Sequence, residues 1–158
     1  MSSAGTHEYA VGLVWEGNRG KGTSAYTSYD RRFRVTVDAK PDLLGSADPA
    51  FRGDPQLHNP EELLLAAVAS CHMLFYLALC ARSGIRVLRY SDAACGTMAV
   101  LPSGGGRFVA IALRPRVTLA RGSDPARAEA LHARAGELCF IANSCSFPIG
   151  HEAQIELE

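Results

Sequence analysis

Between Asn59 and Arg82 the sequence signals a helix start and then holds an apolar run, and no other stretch narrows the possible folds as far. Asn59 is a good N-cap, Pro60 suits a first helical position where no N–H is needed, and Glu62 stands where its carboxylate can reach back to the cap. The helix is predicted to run through Ala81 or Arg82, with Gly84 supplying the left-handed stop. Residues 63–81, nineteen in all, contain no Asp, Glu, Lys or Arg, close to the ~20 residues of a membrane span. Ser70, Cys71 and His72 interrupt the run at its centre and alternating strands follow it, so it is read as a core helix buried on every side. A chain of 158 residues is about one domain's worth, and can enclose such a helix only if a sheet or a partner chain covers it. The expected layout is a single domain over 1–158: strands and a long loop to 58, the central helix over 59–83, then strands, a second helix and a terminal strand over 84–158.

Sixteen basic and sixteen acidic residues cancel, and no basic stripe interleaved with aromatics appears, so neither nucleic acid nor a membrane is an expected partner. The stretch Met1 to Thr6 lacks the basic patch and apolar core of an export signal, which makes a cytoplasmic location the expectation. Five cysteines, Cys71, Cys80, Cys95, Cys139 and Cys145, would then be reduced thiols, better suited to redox or nucleophilic work than to a disulfide framework.

The remaining pattern reads as strands with segregated helices, an α+β arrangement. Tyr9 to Trp15 and Thr23 to Tyr29 read as strands joined by the glycine-rich turn Gly17 to Gly22, and Phe33 to Asp38 alternates cleanly. The loop from Lys40 to His58 is long enough to be a covering flap. Arg86 to Val100 and Arg107 to Leu119 flank a hairpin connection rich in glycine, with Pro115 weakening the second of these strands. Ser123-Asp124-Pro125 opens a second helix with Leu131, Ala135 and Leu138 at helical spacing, and Ala153 to Glu158 alternates as a last strand.

Cys71, in mid-helix, and Cys139, at the exit of the second helix, form the kind of pair a thiol peroxidase needs. One thiolate attacks a peroxide to give a sulfenic acid, and a second thiol condenses with it to a disulfide before over-oxidation. The residues alone do not rank Cys139 above Cys145 as the second thiol. Cys80 and Cys95 are expected to be packing residues, and His72, pointing about 100° away from Cys71, a satisfied core histidine. Cys139, Cys145 and His151 lack the paired Cys-x-x-Cys of a zinc site. The Gly17 to Gly22 turn lacks the spacing of a phosphate loop.

Trp15-Glu16-Gly17, Arg19-Gly20-Lys21-Gly22-Thr23, Asn59-Pro60-Glu61-Glu62-Leu63 and the stretch from Ala66 to Cys71 closely resemble the osmotically inducible protein C / organic hydroperoxide resistance (OsmC/Ohr) family. The likeness runs in the same order over most of the chain. It implies an intertwined homodimer of OsmC-like fold, with antiparallel sheets from both chains wrapping two long central helices. It also implies reduction of organic hydroperoxides through a Cys71–Cys139 disulfide, with Arg19 and Glu61 completing the catalytic set and Arg32 or Arg34 as other possible sources of the arginine. Electrons would come from a dithiol, such as a protein-bound lipoyl group, with no metal or flavin cofactor. The chain departs from the family in carrying Phe140 where a proline follows the second cysteine, and in the length of the 40–58 loop.

An arginine answers a physical need. Cys71 lies about eleven residues into its helix, beyond reach of the helix dipole, and apolar surroundings raise a thiol's pKa. A guanidinium stays charged, lowers that pKa and can donate to peroxide oxygens. The competing class of function is a non-catalytic dimer that binds an apolar ligand or senses oxidation.

Overall fold

The computed structural model describes residues 5–158. The chain forms two compact units, one ending at Leu63 and one beginning at Leu64. In the first, β1 (Gly12–Trp15), β2 (Phe33–Thr36) and β3 (Leu43–Gly45) form an antiparallel sheet in that order. β3 and a short 3-10 turn over Pro49–Phe51 lie inside the expected long loop.

The strand expected over Thr23 to Tyr29 does not form; this stretch is a series of turns, joined to Asn18 only by an isolated bridge at Tyr29. The Asn18 side-chain oxygen accepts from the amides of Gly20 and Gly22, and Ser28 Oγ accepts from Ala25 N and donates to backbone carbonyls. Local side-chain bonds of this kind satisfy the backbone and compete with a ladder. The Trp15-Glu16-Gly17 motif fastens the return of this segment. Trp15 Nε1 donates to Asp30 O at 2.8 Å, Asp30 N donates to Gly17 O at 2.8 Å, and a Cβ at Gly17 would collide with that Asp30 carbonyl.

Helix α1 runs Pro60–Arg82. Its cap is reciprocal: Glu62 N donates to Asn59 Oδ1 at 2.8 Å, and Asn59 N donates to Glu62 Oε2 at 3.3 Å. It ends as expected at Gly84, with φ of 72°. Ile85 N donates to Cys80 O and Gly84 N to Ala81 O, a Schellman arrangement. The helix is not buried on every side. Val68, His72, Tyr76 and Cys80, four residues apart, form its one buried stripe, while Leu74 is 62% exposed. A single chain covers one face of a helix whose other faces are also apolar.

The second unit holds two further sheets. β4 (Val87–Asp92), β7 (Pro115–Leu119) and β9 (Gln154–Leu157) form one, in the order β4-β7-β9; β5 (Cys95–Val100), β6 (Gly106–Leu113) and β8 (Ile149–His151) form the other. Each long strand expected from the alternation is therefore two strands in different sheets. The breaks fall opposite one another, where Asp92 Oδ1 takes Arg114 N at 2.8 Å in place of a ladder bond. Pro115 opens β7 instead of weakening its middle. The β5–β6 hairpin and the terminal strand form as read, β9 lying parallel to β7.

Helix α2 (Pro125–Leu138) is capped by Asp124, whose carboxylate accepts from Ala126 N and Arg127 N. It buries Ala128, His132 and Ala135. Of the expected Leu131-Ala135-Leu138 line, Ala135 is fully buried and Leu131 packs against the core, and His132 lies on the same inward face. A short α3 (Phe140–Asn143) follows directly. Two core clusters result. Tyr76, Cys80, Ile85, Val117, Leu119, Ala128 and Ala135 make one; Val68, Ile111 and Leu113, with Ile141, Cys145 and Phe147 against them, make the other.

Candidate functional site

In the second unit the structure brings Cys71 and Cys139 together as free thiols, close enough that Cys71 affects the ionisation of Cys139. Cys71 is half-buried in mid-α1, and Cys139 is fully buried at the residue that ends α2 and caps α3. Cys139 has the extended backbone of an N-cap, and its sulfur accepts from Ala142 N at 3.4 Å. Phe140 occupies the first position of α3 and meets the Phe75 ring edge-on, with centroids 5.0 Å apart. The turn after Cys139 is therefore held by a sulfur cap and an aromatic contact. Burial, and next the neighbouring Cys71 side chain, push the Cys139 thiol up to about 11, so at neutral pH it is a protonated thiol.

The other cysteines take different positions. Cys80 packs in the core as expected. Cys95 is exposed, contrary to the packing role expected of it, because β5 pairs only with β6 and forms the edge of its sheet. Cys145 is half-buried and donates through sulfur to Ile141 O at 3.2 Å. Among the described residues, no group of three or more His, Cys, Asp or Glu is arranged to hold a metal.

Beside the thiols on α1, His72 is buried and faces α2. Its Nε2 lies 3.0 Å from His132 Nδ1, and the two rings are almost parallel. His132 in turn stacks on Tyr76 at 3.8 Å between centroids, and the exposed His151 ring lies within 5.8 Å of both histidines. Burial drives both buried imidazoles to their neutral forms, lowering His72 to about 4 and His132 to about 3. His132 Nε2 bonds to no described residue. Sequence reading identified His72 as a core residue but passed over His132, whose signal was its place between Ala128 and Ala135 at helical spacing.

In the first unit a mostly apolar cavity of about 850 Å³ is lined by Trp15, Phe33, Phe51 and Leu63 together with Glu61 and Arg31. Glu61, half-buried, lines it with no hydrogen bond or ion pair to a described residue. Arg19 does not line it: its Nη2 donates to Thr27 O at 2.6 Å, and its Nε lies 3.6 Å from Asp30. Arg32 is 3.9 Å from Glu16, and Arg34 pairs with both Glu16 and Asp42. Arg31, which sequence reasoning did not single out, stacks its guanidinium on Tyr26 and Tyr29 at 4.3 and 4.1 Å from the ring centroids.

The comparisons with known proteins bear on the family and the fold. Residues 53–153 match the family model described as OsmC-like protein. An OsmC-like protein of unknown function from Vibrio cholerae is 30% identical, with a TM-score of 0.82 over 94% of this chain and 100% of that one. An organic hydroperoxide resistance protein from Legionella pneumophila is 19% identical, with a TM-score of 0.63 over 97% of this chain and 99% of its own. Another, from Elizabethkingia anophelis, is 17% identical, with a TM-score of 0.64 over 96% and 97% of the two chains. At these lower identities the likeness is one of fold. No curated protein matches the chain. With its central capped helix, its sheets and its matched region covering most of the sequence, the chain belongs to the family of OsmC-like proteins.

Proposed function

We propose that the protein is a dithiol-dependent peroxidase that reduces organic hydroperoxides to alcohols. The observation that carries this reading is the approach of the Cys71 and Cys139 side chains, near enough that Cys71 affects the ionisation of Cys139, one half-buried on a helix face and the other fully buried. Cys71 loses its proton and attacks the distal oxygen of ROOH; the S–O bond forms as the O–O bond breaks, and the departing alkoxide takes a proton to leave as ROH. Cys71 then carries a sulfenic acid. Cys139, held protonated until that moment, forms the S–S bond and gives up its proton as water departs. An external dithiol, such as a lipoyl group, reduces the disulfide and returns both thiols.

Glu61 and an arginine of the N-terminal segment, Arg19 by family resemblance, are proposed to orient the peroxide. In a continuous helix, Glu61 and Cys71 are about 15 Å apart along the axis and about 80° apart around it, more than a glutamate side chain spans. Glu61 is therefore proposed to serve the Cys71 of a partner copy. A homodimer also covers the apolar faces that α1 leaves open in one chain.

The apolar cavity also suits the alternative role of a non-catalytic binder of apolar ligands. Rapid mixing with cumene hydroperoxide separates the two. A peroxidase oxidises Cys71 within seconds and turns over with dithiol, whereas a binder leaves the thiols reduced.

A further inference from the structure

We propose that the hydrogen bond between His72 and His132 is a positioning device for disulfide formation, holding helix α2, and with it Cys139, in register with Cys71. This rests on the peroxidase reading above and concerns only its second step. His72 directly follows Cys71 on α1, and His132 stands on α2 about two turns before Cys139. The bond therefore joins the two helices that carry the thiols.

The buried face of α2 consists of Ala128, His132 and Ala135. Of these, His132 alone can make a directional bond. Its Nδ1 lies 3.0 Å from His72 Nε2, with the two rings within 3° of parallel. Burial keeps both rings neutral, so one nitrogen donates and the other accepts. One turn further along α1, Tyr76 stacks on His132 at 3.8 Å. A stack of flat rings resists tilting but permits sliding, whereas a hydrogen bond fixes position along the helix. An apolar pair of similar size would fill the space without desolvating polar nitrogens, but it would leave the register unspecified.

Peroxide attack needs Cys71 and not Cys139. The sulfenic acid that results has two fates. Cys139 can form the S–S bond as the S–O bond breaks, its proton leaving with the hydroxyl as water. Otherwise a second ROOH transfers one oxygen and leaves as ROH, and Cys71 ends as a sulfinic acid. Closure prevails only if the two sulfurs are aligned, and a misplacement of about 1 Å costs on the order of 100-fold in such a step. Cys139 is fully buried and is fixed as the cap of α3, so it has no room to search. Its placement is inherited from α2.

The test compares wild type, His132→Phe and His132→Asn in the full-length protein. Phenylalanine keeps a ring on Tyr76 and loses the bond; asparagine loses the ring but places an amide near the position of Nδ1. After mixing with cumene hydroperoxide, four quantities are read: the rate of Cys71 oxidation, the rate of disulfide closure, the sulfinic fraction by intact mass, and the melting temperature. His132→Phe is expected to close the disulfide about tenfold more slowly than wild type, to lose much less in Cys71 oxidation, and to accumulate sulfinic acid. His132→Asn should melt lower than His132→Phe yet close faster, an order that a purely structural role would reverse. A folded His132→Phe whose closure stays within about threefold of wild type overturns the proposal, as does an equal loss in both steps or slower closure by His132→Asn. If His132→Phe fails to fold, His72→Leu, which removes the same bond from α1, is read in the same way. A wild type that never reacts with hydroperoxide overturns the peroxidase reading instead. Equilibration against glutathione disulfide then still measures how readily Cys139 closes on Cys71, and a value unmoved by His132→Phe rejects the positioning role.

Discussion

His72 and His132 meet nitrogen to nitrogen at 3.0 Å across the packed faces of α1 and α2. Both rings are buried and neutral, with pKa values of about 4 and about 3, against an ordinary 6.5. Because the folded values are depressed, the unfolded chain binds more protons once pH drops below about 6.5. Stability from these groups is fully present above that pH and is lost progressively down to about pH 3. Thermal melts between pH 7.5 and 4 should show this decline. Tyr76 and His151 are the other titratable rings facing the pair, and Tyr76 is uncharged throughout the range. His132→Phe keeps the stack on Tyr76 and should flatten the decline; an unchanged slope would reject the assignment.

Replacing Cys71 with serine should abolish peroxide reduction. Cys139→Ser should permit one oxidation per chain and then drift to the sulfinic acid, because no thiol traps the sulfenic acid. Intact mass after peroxide treatment distinguishes these products. A wild-type disulfide between Cys71 and Cys145 would remove Cys139 from its role.

Bulky alkyl or aryl hydroperoxides should outpace hydrogen peroxide. The cavity beside Glu61 is mostly apolar, and each methylene buried from water contributes about 0.8 kcal/mol. Second-order rate constants for cumene hydroperoxide and hydrogen peroxide supply the check, equal values counting against an apolar substrate site.

Mixing a Cys71→Ser chain with a Glu61→Ala chain should return about half of wild-type activity in the isolated heterodimer, if its two sites work independently. Sharing between chains leaves one site with both residues intact. A heterodimer as inactive as its parents would place Glu61 outside catalysis or in the site of its own chain.

Asn59→Ala should cost about 1 kcal/mol of stability, since the amide of Glu62 loses its acceptor in a nearly buried position. Urea denaturation measures the loss. An Asn59→Ser variant should recover most of it.

Local chemistry made the central helix legible from the sequence: Asn59, Pro60, Glu62 and Gly84 act within one turn of their own positions, and each end forms as they predict. The same holds for the second helix start at Asp124 and for the glycine-rich hairpin. Alternation along 86–119 announced strands but not their division between two sheets, since that depends on Asp92 meeting Arg114, 22 residues away. The Thr23 to Tyr29 segment alternates like a strand, yet side chains of Asn18 and Ser28 satisfy its backbone locally. Family resemblance, not spacing, pointed to Cys139, and only packing could bring its sulfur to Cys71. Arg31 and His132 were hidden for the same reason: the rings that stack on them, and the cavity or helix face they meet, exist only after distant segments fold together. Sequence by itself decides what each residue can satisfy among its neighbours along the chain. Tertiary structure decides which groups lose their water and which meet one another, and so which of them can do chemistry.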